Sequence, residues 1–390
     1  MEPISHSPTV IPFWRDVRVL RIVAQIAFVL FILLIGLTLC NNLTVGLARY
    51  TSFSFDFLRS TASLPLSETS IPYDAHDPMY HAYIVGFLNT LRVILLGIFL
   101  TSIVGLFGGI ARLSSNWLVS KIAAVYVEIF MDTPLLIQLY FWYLAGVLQL
   151  PRVRESVALF GSVFLNNRGL VVPWYNPNAT FESWIVVGGA AVVVGIAAFL
   201  VLGKRPEATR LRDWRGLWSF LAFLLIVAVA AAALNPFTIT IPRLQGFNFQ
   251  GGATLSGEYV SLLLGLVLYT GAFITEIVRA GIQAVPKGVN EASRALGLTY
   301  AQTLRLVTVP LALRVIIPPL TNQYLNLAKN SSLAVAVAYP DLYFVSGGIY
   351  NMTGQTIPVI TMMMGTYLLL SLTISVIMNT VNARFKLVER

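Results

Sequence analysis

Residues 286–310, with the sequence PKGVNEASRALGLTYAQTLRLVTVP, form a polar stretch with charges of both signs between two long apolar runs. Glu291 and Arg294 could fix the register of a bound protein by ion pairing, while Ala292 and Ser293 are small enough to allow a close approach. These residue types suit docking between two proteins better than catalysis. A polar loop that simply joins two apolar segments is the alternative interpretation.

The spacing within this stretch predicts a short helix that ends at a glycine. Pro286-Lys287-Gly288 has the composition of a turn. Asn290 is a suitable N-cap, and Glu291 in the first turn would complement the helix dipole. Gly297 is a natural stop, because a left-handed backbone costs glycine little. Residues at three- and four-residue spacing share one face of this helix: Ala292, Ala295 and Leu296.

A second helix is predicted to follow the glycine at once. Thr299 and Gln302 have the spacing of a capping box, which marks a helix start. The helix would carry Leu304, Val307 and Leu311 on one side and end at Pro310, just before the next apolar run. The predicted unit is therefore a helix, a glycine joint and a second helix.

Polar residues also interrupt two of the apolar runs, where they could line a cavity. Asp132-Thr133-Pro134 is one interruption, because proline breaks a helix and frees carbonyl groups; a simple kink is the alternative. Lys329-Asn330-Ser331-Ser332 is the other, and there the alternative is a lysine that snorkels to an interface or pairs structurally. Further candidate cavity residues are Glu128, Gln138, Asn89, Thr90 and Arg92.

Two other patterns within the apolar runs predict packing rather than chemistry. Glu276 and Arg279 are three residues apart and are expected to pair with each other. Gly105 and Gly109 form a small-xxx-small pair, which is typical of close helix contacts in membranes.

The composition indicates a protein whose surroundings are mostly lipid. Of the 390 residues, 57% are hydrophobic and only 11% are charged, and the mean hydropathy is +0.76. Such a chain is too apolar for an ordinary soluble domain. The single cysteine, Cys40, and the three scattered histidines form no disulfide framework and no zinc-binding spacing.

Eight apolar stretches are long enough to cross a bilayer, and helices are expected because lipid leaves no other partner for the backbone. The predicted class is therefore an all-α integral membrane protein with about eight spans. The stretches are Val19–Cys40, Ile84–Ile110, Ile122–Leu148, Trp184–Leu202, Leu217–Leu234, Glu258–Val278, Ala312–Ala338 and Ile357–Val381.

The placement of positive charge predicts the orientation of these spans. Most of the 26 Lys and Arg residues fall in segments on one side of the predicted spans, including the strongly basic loop GKRPEATRLRDWRG that begins at Gly203. By the positive-inside rule, this side and both termini are cytoplasmic. The basic excess is spread over several loops and forms no single patch, so nucleic-acid binding is excluded as the reason for the net charge of +9.

The composition and predicted spans are compatible with three classes of membrane protein. An intramembrane enzyme would need a paired catalytic constellation, and the sequence shows none. A self-contained, ion-coupled secondary transporter usually has internal repeats and ionisable relays, and neither is evident. The chain also lacks a phosphate-binding loop, since Gly203-Lys204 has neither the upstream glycine nor the following hydroxyl, so we expect no ATP site on this chain. The self-contained, ion-coupled secondary transporter stays open as the alternative hypothesis.

The stretch EASRALGLTYAQTLRLVTVP resembles the EAA motif of bacterial ABC-importer permeases. The motif has Glu-Ala-Ala, three residues, Gly, nine residues and then Ile-x-Leu-Pro, and the spacing here matches throughout. Ser293 replaces the second alanine, and Val307 and Val309 replace Ile and Leu. The motif positions are Glu291, Ala292, Ser293, Gly297, Val307, Val309 and Pro310, and Arg294 is a further residue of the predicted coupling loop. The resemblance implies a coupling helix that docks on a cytoplasmic ATPase.

Other segments look like the polar amino-acid branch of these permeases, namely GFLNTLRV, YVEIFMDTPLLIQLYFWY, TEIVRAGI and LAKNSSLA. The length and the two additions resemble a general L-amino-acid (Aap-type) permease. Residues 1–83 are then an extra N-terminal span with an outer loop, 84–150 and 257–390 the two parts of the permease core, and 151–256 an insertion with two extra spans. The extra spans are expected to pack on the periphery of the core.

The resemblance implies an importer for L-amino acids, of broad specificity and favouring polar ones, in the bacterial inner membrane. No cofactor is expected on this chain, with ATP and Mg on a partner ATPase dimer. A second permease subunit in a hetero-pair and a periplasmic amino-acid-binding protein are implied partners, and membrane lipid surrounds the spans. The polar interruptions of the apolar runs supply the candidate substrate-pathway residues, which are Glu128, Asp132, Thr133, Gln138, Lys329, Asn330, Ser331 and Ser332.

Overall fold

The computed structural model describes residues 17–49, 54–203 and 215–385, and most of them are helical. The predicted orientation of the two termini, and most of the basic loop after Gly203, lie outside these residues. The helices are α1 (Val17–Arg49), α2 (Met79–Arg112), α3 (Trp117–Asp132), α4 (Leu135–Tyr140), α5 (Phe181–Gly203), α6 (Arg215–Leu234), α7 (Gly257–Gln283), α8 (Lys287–Ala295), α9 (Tyr300–Thr303), α10 (Val309–Asn330), α11 (Leu342–Thr353) and α12 (Thr356–Phe385).

The predicted helical membrane class is confirmed. Within the described ranges, seven helices are long and apolar enough to cross a membrane, and a bent pair brings the number to eight if it counts as one span. Each predicted stretch overlaps one of these elements. The stretch Ile122–Leu148 is broken where the sequence predicted an interruption, because α3 and α4 meet at a bend of 106° around Thr133 and Pro134.

Short strands in the insertion were not predicted from the sequence. One antiparallel sheet has the order β1 (Val157–Leu159), β2 (Val163–Asn166), β3 (Gly169–Val172) and β8 (Ala253–Ser256). Two further pairs join β4 (Trp174–Pro177) to β5 (Phe237–Thr240) and β6 (Arg243–Gln245) to β7 (Asn248–Gln250). Because β3 pairs with β8, and β8 leads into α7, the sheet holds the two ends of the insertion together.

The additional spans differ in how they pack. Helices α5 and α6 pack against each other as a hairpin. Every described side chain of α1, from Leu20 to Asn42, is exposed. The predicted packing of α1 on the periphery of the core is therefore wrong for these residues: an apolar helix of this kind is covered by lipid or by another chain.

The core of the bundle is the parallel pair α2 and α7. A Cβ at Gly105 would lie 2.3 Å from Ile274, and one at Gly109 would lie 2.5 Å from Val278. The predicted small-xxx-small contact is therefore confirmed, because only glycine lets the two backbones come this close. We call the end of the bundle where α7 runs into residues 286–310 the near end, and the opposite end, where α7 begins, the far end.

Candidate functional site

The stretch 286–310 at the near end has the predicted helix–glycine–helix form. Helix α8 ends at Ala295 with Leu296 as its C-cap, and Gly297 follows with a φ of +78°, the left-handed conformation expected of a glycine stop. The amides of Gly297 and Leu298 donate to the carbonyls of Arg294 (2.9 Å) and Ser293 (3.1 Å). The chain therefore turns sharply here without leaving its backbone polar groups unsatisfied.

The first helix starts earlier than the sequence indicated. Pro286 is the N-cap residue, so Asn290 lies within α8, and the prediction that Asn290 caps the helix was wrong. Proline fixes the backbone angle needed at a helix start, which explains the earlier beginning. The Asn290 side chain instead accepts a hydrogen bond from the Thr308 hydroxyl at 2.9 Å. Asn290 thus ties α8 to the chain that follows the joint.

The second helix begins as predicted but does not end where expected. Thr299 and Gln302 form a capping box, with both reciprocal hydrogen bonds present. The prediction that this helix ends at Pro310 was wrong: α9 passes through a π-helical turn, Leu304–Thr308, into α10, and the helix Tyr300–Val337 is 38 residues long. Pro310 lies in the first turn of α10, where a missing N–H is tolerated.

The short helix α8 presents a mixed polar and apolar face to the exterior. Glu291, Ala292 and Arg294 are exposed, and Leu296 is 82% exposed with Tyr300 beside it at 74%. An exposed leucine and tyrosine flanked by both charge signs is what a protein-docking surface requires.

Ser293 lies on the other side of α8. It is only 5% exposed, and its hydroxyl donates to the carbonyl of Val289 at 2.8 Å. The expectation that Ser293 faces a partner was therefore wrong, because its position on the helix turns it towards the chain itself. Val307 and Pro310, the last motif positions, are half-buried in the helix that follows.

The break between α3 and α4 is held by one side chain. Pro134 cannot continue α3, so the carbonyls of its last turn lose their usual partners. The amide of Gln138, which is buried, donates to the carbonyls of Phe130 and Thr133, each at 2.9 Å. The Thr133 hydroxyl donates to the Ile129 carbonyl at 2.7 Å. The predicted kink is therefore confirmed, and Gln138 is the group that stabilises it.

The other predicted pathway residues are divided between buried and exposed positions. Glu128, Asp132 and Lys329 are exposed, and Asn330 and Ser332 are half-buried. Ser331 is fully buried, and its hydroxyl donates to the Ala328 carbonyl at 2.8 Å.

The structure brings the two interrupted stretches next to each other. Residues 331–337 form a 3-10 turn after α10. Its Ala334 and Val337 pack in one buried cluster with Leu135 and Leu139 of α4. One broken span and the 3-10 end of the long helix Tyr300–Val337 thus meet inside the bundle. Transporters often place substrate sites at helix breaks of this kind. This adjacency could not be inferred from the sequence, since nearly 200 positions separate the stretches.

A polar cluster at the far end was largely missed by the sequence analysis. Arg92 pairs with Glu68, whose carboxylate oxygen lies 2.5 Å from the guanidinium. The guanidinium carbon stacks 4.2 Å above the ring of Tyr259. Of these three residues, only Arg92 was predicted from the sequence, as a candidate cavity residue. Glu68 lies in the long polar segment before α2, where no pattern distinguished it from its neighbours.

The neighbouring polar residues of α2 have structural partners. The amide of Asn89 donates to the carbonyls of Glu68 (3.0 Å) and Pro340 (2.8 Å). The Thr90 hydroxyl accepts from the backbone of Leu342 at 2.9 Å. Both residues are fully buried. They therefore attach α2 to the segment before it and to the start of α11.

At the start of α11, Asp341 is buried and caps the helix. One of its carboxylate oxygens accepts from the Phe344 amide at 2.8 Å, and the other accepts from the Tyr367 hydroxyl at 3.2 Å. Burial raises the pKa of Asp341 to about 7, because the charged form loses its hydration. A carboxyl that titrates near neutrality thus lies close to the polar cluster.

The near end holds a second ion-pair network. Arg279 donates to Glu276 at 2.7 Å, which confirms the predicted pair, and Arg112 of α2 donates to the same carboxylate at 2.9 Å. This network joins α2 to α7 where the bundle meets residues 286–310. Over the residues that the structure describes, no group of three or more His, Cys, Asp or Glu could hold a metal ion.

Comparison with known proteins identifies the family. Residues 97–387 match the model of the binding-protein-dependent transport system inner membrane component. The chain belongs to this family. Its membership agrees with the observed spans, and it makes the chain a multi-pass membrane component of a transport system rather than an enzyme.

Three relatives that align over nearly their whole length are named as permease proteins of amino-acid transport systems. The general L-amino acid transport system permease protein AapQ of Rhizobium johnstonii is 41% identical over 388 residues, which is 97% of this chain and 94% of that protein. The putative amino-acid ABC transporter permease protein YhdX of Escherichia coli is 42% identical over 378 residues, with 96% and 94% covered. The glutamate/glutamine/aspartate/asparagine transport system permease protein BztB of Rhodobacter capsulatus is 39% identical, with 96% of each covered.

Proposed function

We propose that this chain is a membrane-spanning subunit of an ATP-driven importer that carries L-amino acids into the cytoplasm. The relatives just described are named as permeases for amino acids, and they align with nearly the whole of this chain, including its insertion. The names of two of them, AapQ and BztB, favour a broad substrate range that includes polar amino acids. Membership in a binding-protein-dependent family argues against the self-contained, ion-coupled alternative.

The observation that carries the proposal is the construction of the near end. Leu296, just after α8, and Tyr300, at the start of α9, are exposed beside charged residues, while Asn290 joins α8 to Thr308 by a hydrogen bond. From Tyr300 the chain continues as one long helix to Val337. A push on α8 is thus transmitted along a continuous helix into the bundle. This is the geometry needed for a coupling element driven by a partner.

The partner at this surface is a cytoplasmic ABC ATPase dimer, which supplies the ATP and Mg that this chain has no motif to bind. A second permease subunit completes the pathway, and a hetero-pair with a related chain is our preferred arrangement. A periplasmic amino-acid-binding protein delivers substrate at the far end. Lipid covers the exposed apolar faces of the spans, such as α1.

The pathway is proposed to pass the two interrupted stretches. The carbonyl-rich break at Thr133 and the 3-10 turn that begins at Ser331 supply backbone dipoles, which suit a zwitterionic ligand. The exposed groups Glu128, Asp132 and Lys329 face out of this subunit and would line the space shared with the second permease chain. When ATP closes the ATPase dimer, α8 moves and the long helix Tyr300–Val337 shifts this region from one access state to the other.

Reconstitution tests the proposal. Proteoliposomes that contain this chain, its ATPase and its second permease subunit are expected to accumulate labelled L-amino acids only with ATP and the binding protein. Accumulation by this chain alone, driven by a proton or sodium gradient without ATP, would show that the ion-coupled alternative is correct.

A further inference from the structure

The Glu68 carboxylate at the far end occupies a place built for an anion. One oxygen pairs with Arg92 at 2.5 Å, and the other accepts from the backbone amide of Ser256 at 3.3 Å. Ser256 is the N-cap of α7, and its hydroxyl accepts from the Tyr259 amide. The carboxylate therefore lies between a guanidinium and the positive end of a 27-residue helix, two features that attract anions.

Unused hydrogen-bonding groups surround this place. Tyr259 lies beneath the Arg92 guanidinium, and its ring centre is 5.5 Å from that of Tyr339. Both tyrosines are fully buried, and within the described part of the chain neither hydroxyl has a hydrogen-bond partner. A buried hydroxyl without a partner is costly, so such groups often mark a site completed by a ligand. Two of them beside one arginine indicate a site that Glu68 fills incompletely.

The exposure of Arg92 and the separate attachment of the Glu68 backbone would allow another carboxylate to replace that of Glu68. The Arg92 side chain is 31% exposed although its partner Glu68 is only 9% exposed, so part of the arginine side chain is reachable from outside. The backbone carbonyl of Glu68 is held independently by Asn89, and the Asn89 side chain also accepts from the Ser70 hydroxyl at 2.6 Å. The Glu68 side chain can therefore leave Arg92 while its backbone keeps its place.

We propose that Arg92 and the N-terminus of α7 form a carboxylate-binding site, which Glu68 fills in this structure and from which the carboxylate of a free L-amino acid displaces it. The inference rests on the proposed function, because it assigns that substrate an entry site at the far end. The ring of Tyr259 and the hydroxyls of Tyr259 and Tyr339 would receive the rest of the ligand. Glu68 thus acts as an internal competitor that keeps the empty site closed.

The test is equilibrium binding of labelled L-alanine and L-glutamate to the assembled transporter in lipid nanodiscs. Glu68→Gln removes the competing charge and keeps the shape of the side chain. It is expected to lower the apparent Kd about threefold to tenfold, a range set by the modest strength of a partly exposed ion pair. Arg92→Gln is expected to raise the Kd at least about tenfold, because the carboxylate then has no charged partner. L-Alaninamide, which lacks the carboxylate, should not compete.

Two further variants make the test specific. Glu155→Gln removes an exposed carboxylate from the short helical turn Val153–Glu155, which lies neither in α7 nor in the pair with Arg92, and it should leave the Kd unchanged. In the double variant Glu68→Gln, Arg92→Gln, the gain from the first change should disappear.

Unchanged or weaker binding by Glu68→Gln, together with a lower thermal midpoint, would show that the pair is only a clamp and would overturn the inference. ATP-driven uptake by the native complex separates the two proposals. If uptake is normal and Glu68→Gln leaves the Kd unchanged, only the proposed carboxylate site is wrong. If the native complex neither binds nor takes up either amino acid, the proposed function fails together with the site.

Discussion

The hydroxyl of Thr308 donates a 2.9 Å hydrogen bond to the side-chain carbonyl of Asn290, across the glycine joint at the near end. Thr308 is buried at 9% exposure and lies where the π-helical turn passes into α10. The bond joins the short exposed helix α8 directly to the long helix that enters the bundle. It is therefore a specific candidate for the mechanical link between a partner ATPase and this chain.

Replacing Thr308 with valine is expected to uncouple transport from ATP hydrolysis. The change keeps the size of the side chain and removes one hydrogen bond, worth about 1 kcal/mol, so the chain should still fold and bind its ATPase. The measurement is the ratio of amino acid transported to ATP hydrolysed in proteoliposomes, which should fall. Thr373→Val, in an exposed part of α12, is the control. If Thr308→Val transports as much amino acid per ATP as the native chain, this hydrogen bond does not couple the ATPase to transport.

Gln138→Leu is expected to destabilise the break between α3 and α4. Two backbone carbonyls lose their donor in a buried place, which should cost about 2 kcal/mol or more. Thermal unfolding in detergent measures the effect. Gln149→Leu, which removes a single bond at an exposed position, should change the midpoint much less. Equal midpoints for the two variants would show that Gln138 does not hold the break.

The contact between α2 and α7 predicts that Gly105→Ala is harmful. The new methyl group would lie 2.3 Å from the Ile274 side chain and 3.3 Å from its backbone, so the helices must separate. A cost of about 1–3 kcal/mol is expected from such overpacking. Gly365→Ala has open space around it and should unfold like the native chain. A native midpoint for Gly105→Ala would show that the helix pair tolerates separation.

Asp341 should make stability depend on pH below neutrality. Its pKa is raised from 3.8 to about 7 by burial, so the folded chain binds this proton more tightly than the unfolded chain. The contribution is complete below about pH 4 and is lost as the pH rises towards 7. Asp341→Asn keeps an acceptor for the helix cap and should flatten this dependence in thermal unfolding between pH 4 and 8. If the thermal midpoint of Asp341→Asn changes with pH as much as that of the native chain, other groups cause the pH dependence.

Much of the architecture could be predicted because lipid imposes simple rules. Long apolar runs had to be helices, and Gly105 with Gly109 marked a close helix contact. The capping box at Thr299 and the stop at Gly297 were also evident, since these depend on neighbouring residues. The small sheets were not predicted: their strands are only three or four residues long, and β3 pairs with β8 across more than 80 residues of intervening chain.

The candidate sites were predictable only in part, because the sequence shows local signals but not contacts between distant segments. The motif around Glu291 is local, so its position and exposed face followed from spacing. The start of α8 at Pro286 and the inward turn of Ser293 depend on packing against the bundle, which spacing does not show. The Glu68–Arg92 pair joins a loop to the interior of a helix, and neither residue's partner could be inferred from its neighbours.

Co-purification from mildly solubilised membranes measures whether α8 docks on a partner ATPase. The native chain is expected to retain the ATPase at a fixed molar ratio. Leu296→Asp, at a site 82% exposed at the near end, should abolish this retention, whereas Phe160→Asp, 98% exposed in the insertion, should not. If Leu296→Asp retains the ATPase at the native ratio and shows full ATP-driven uptake, α8 is not the element on which the ATPase docks.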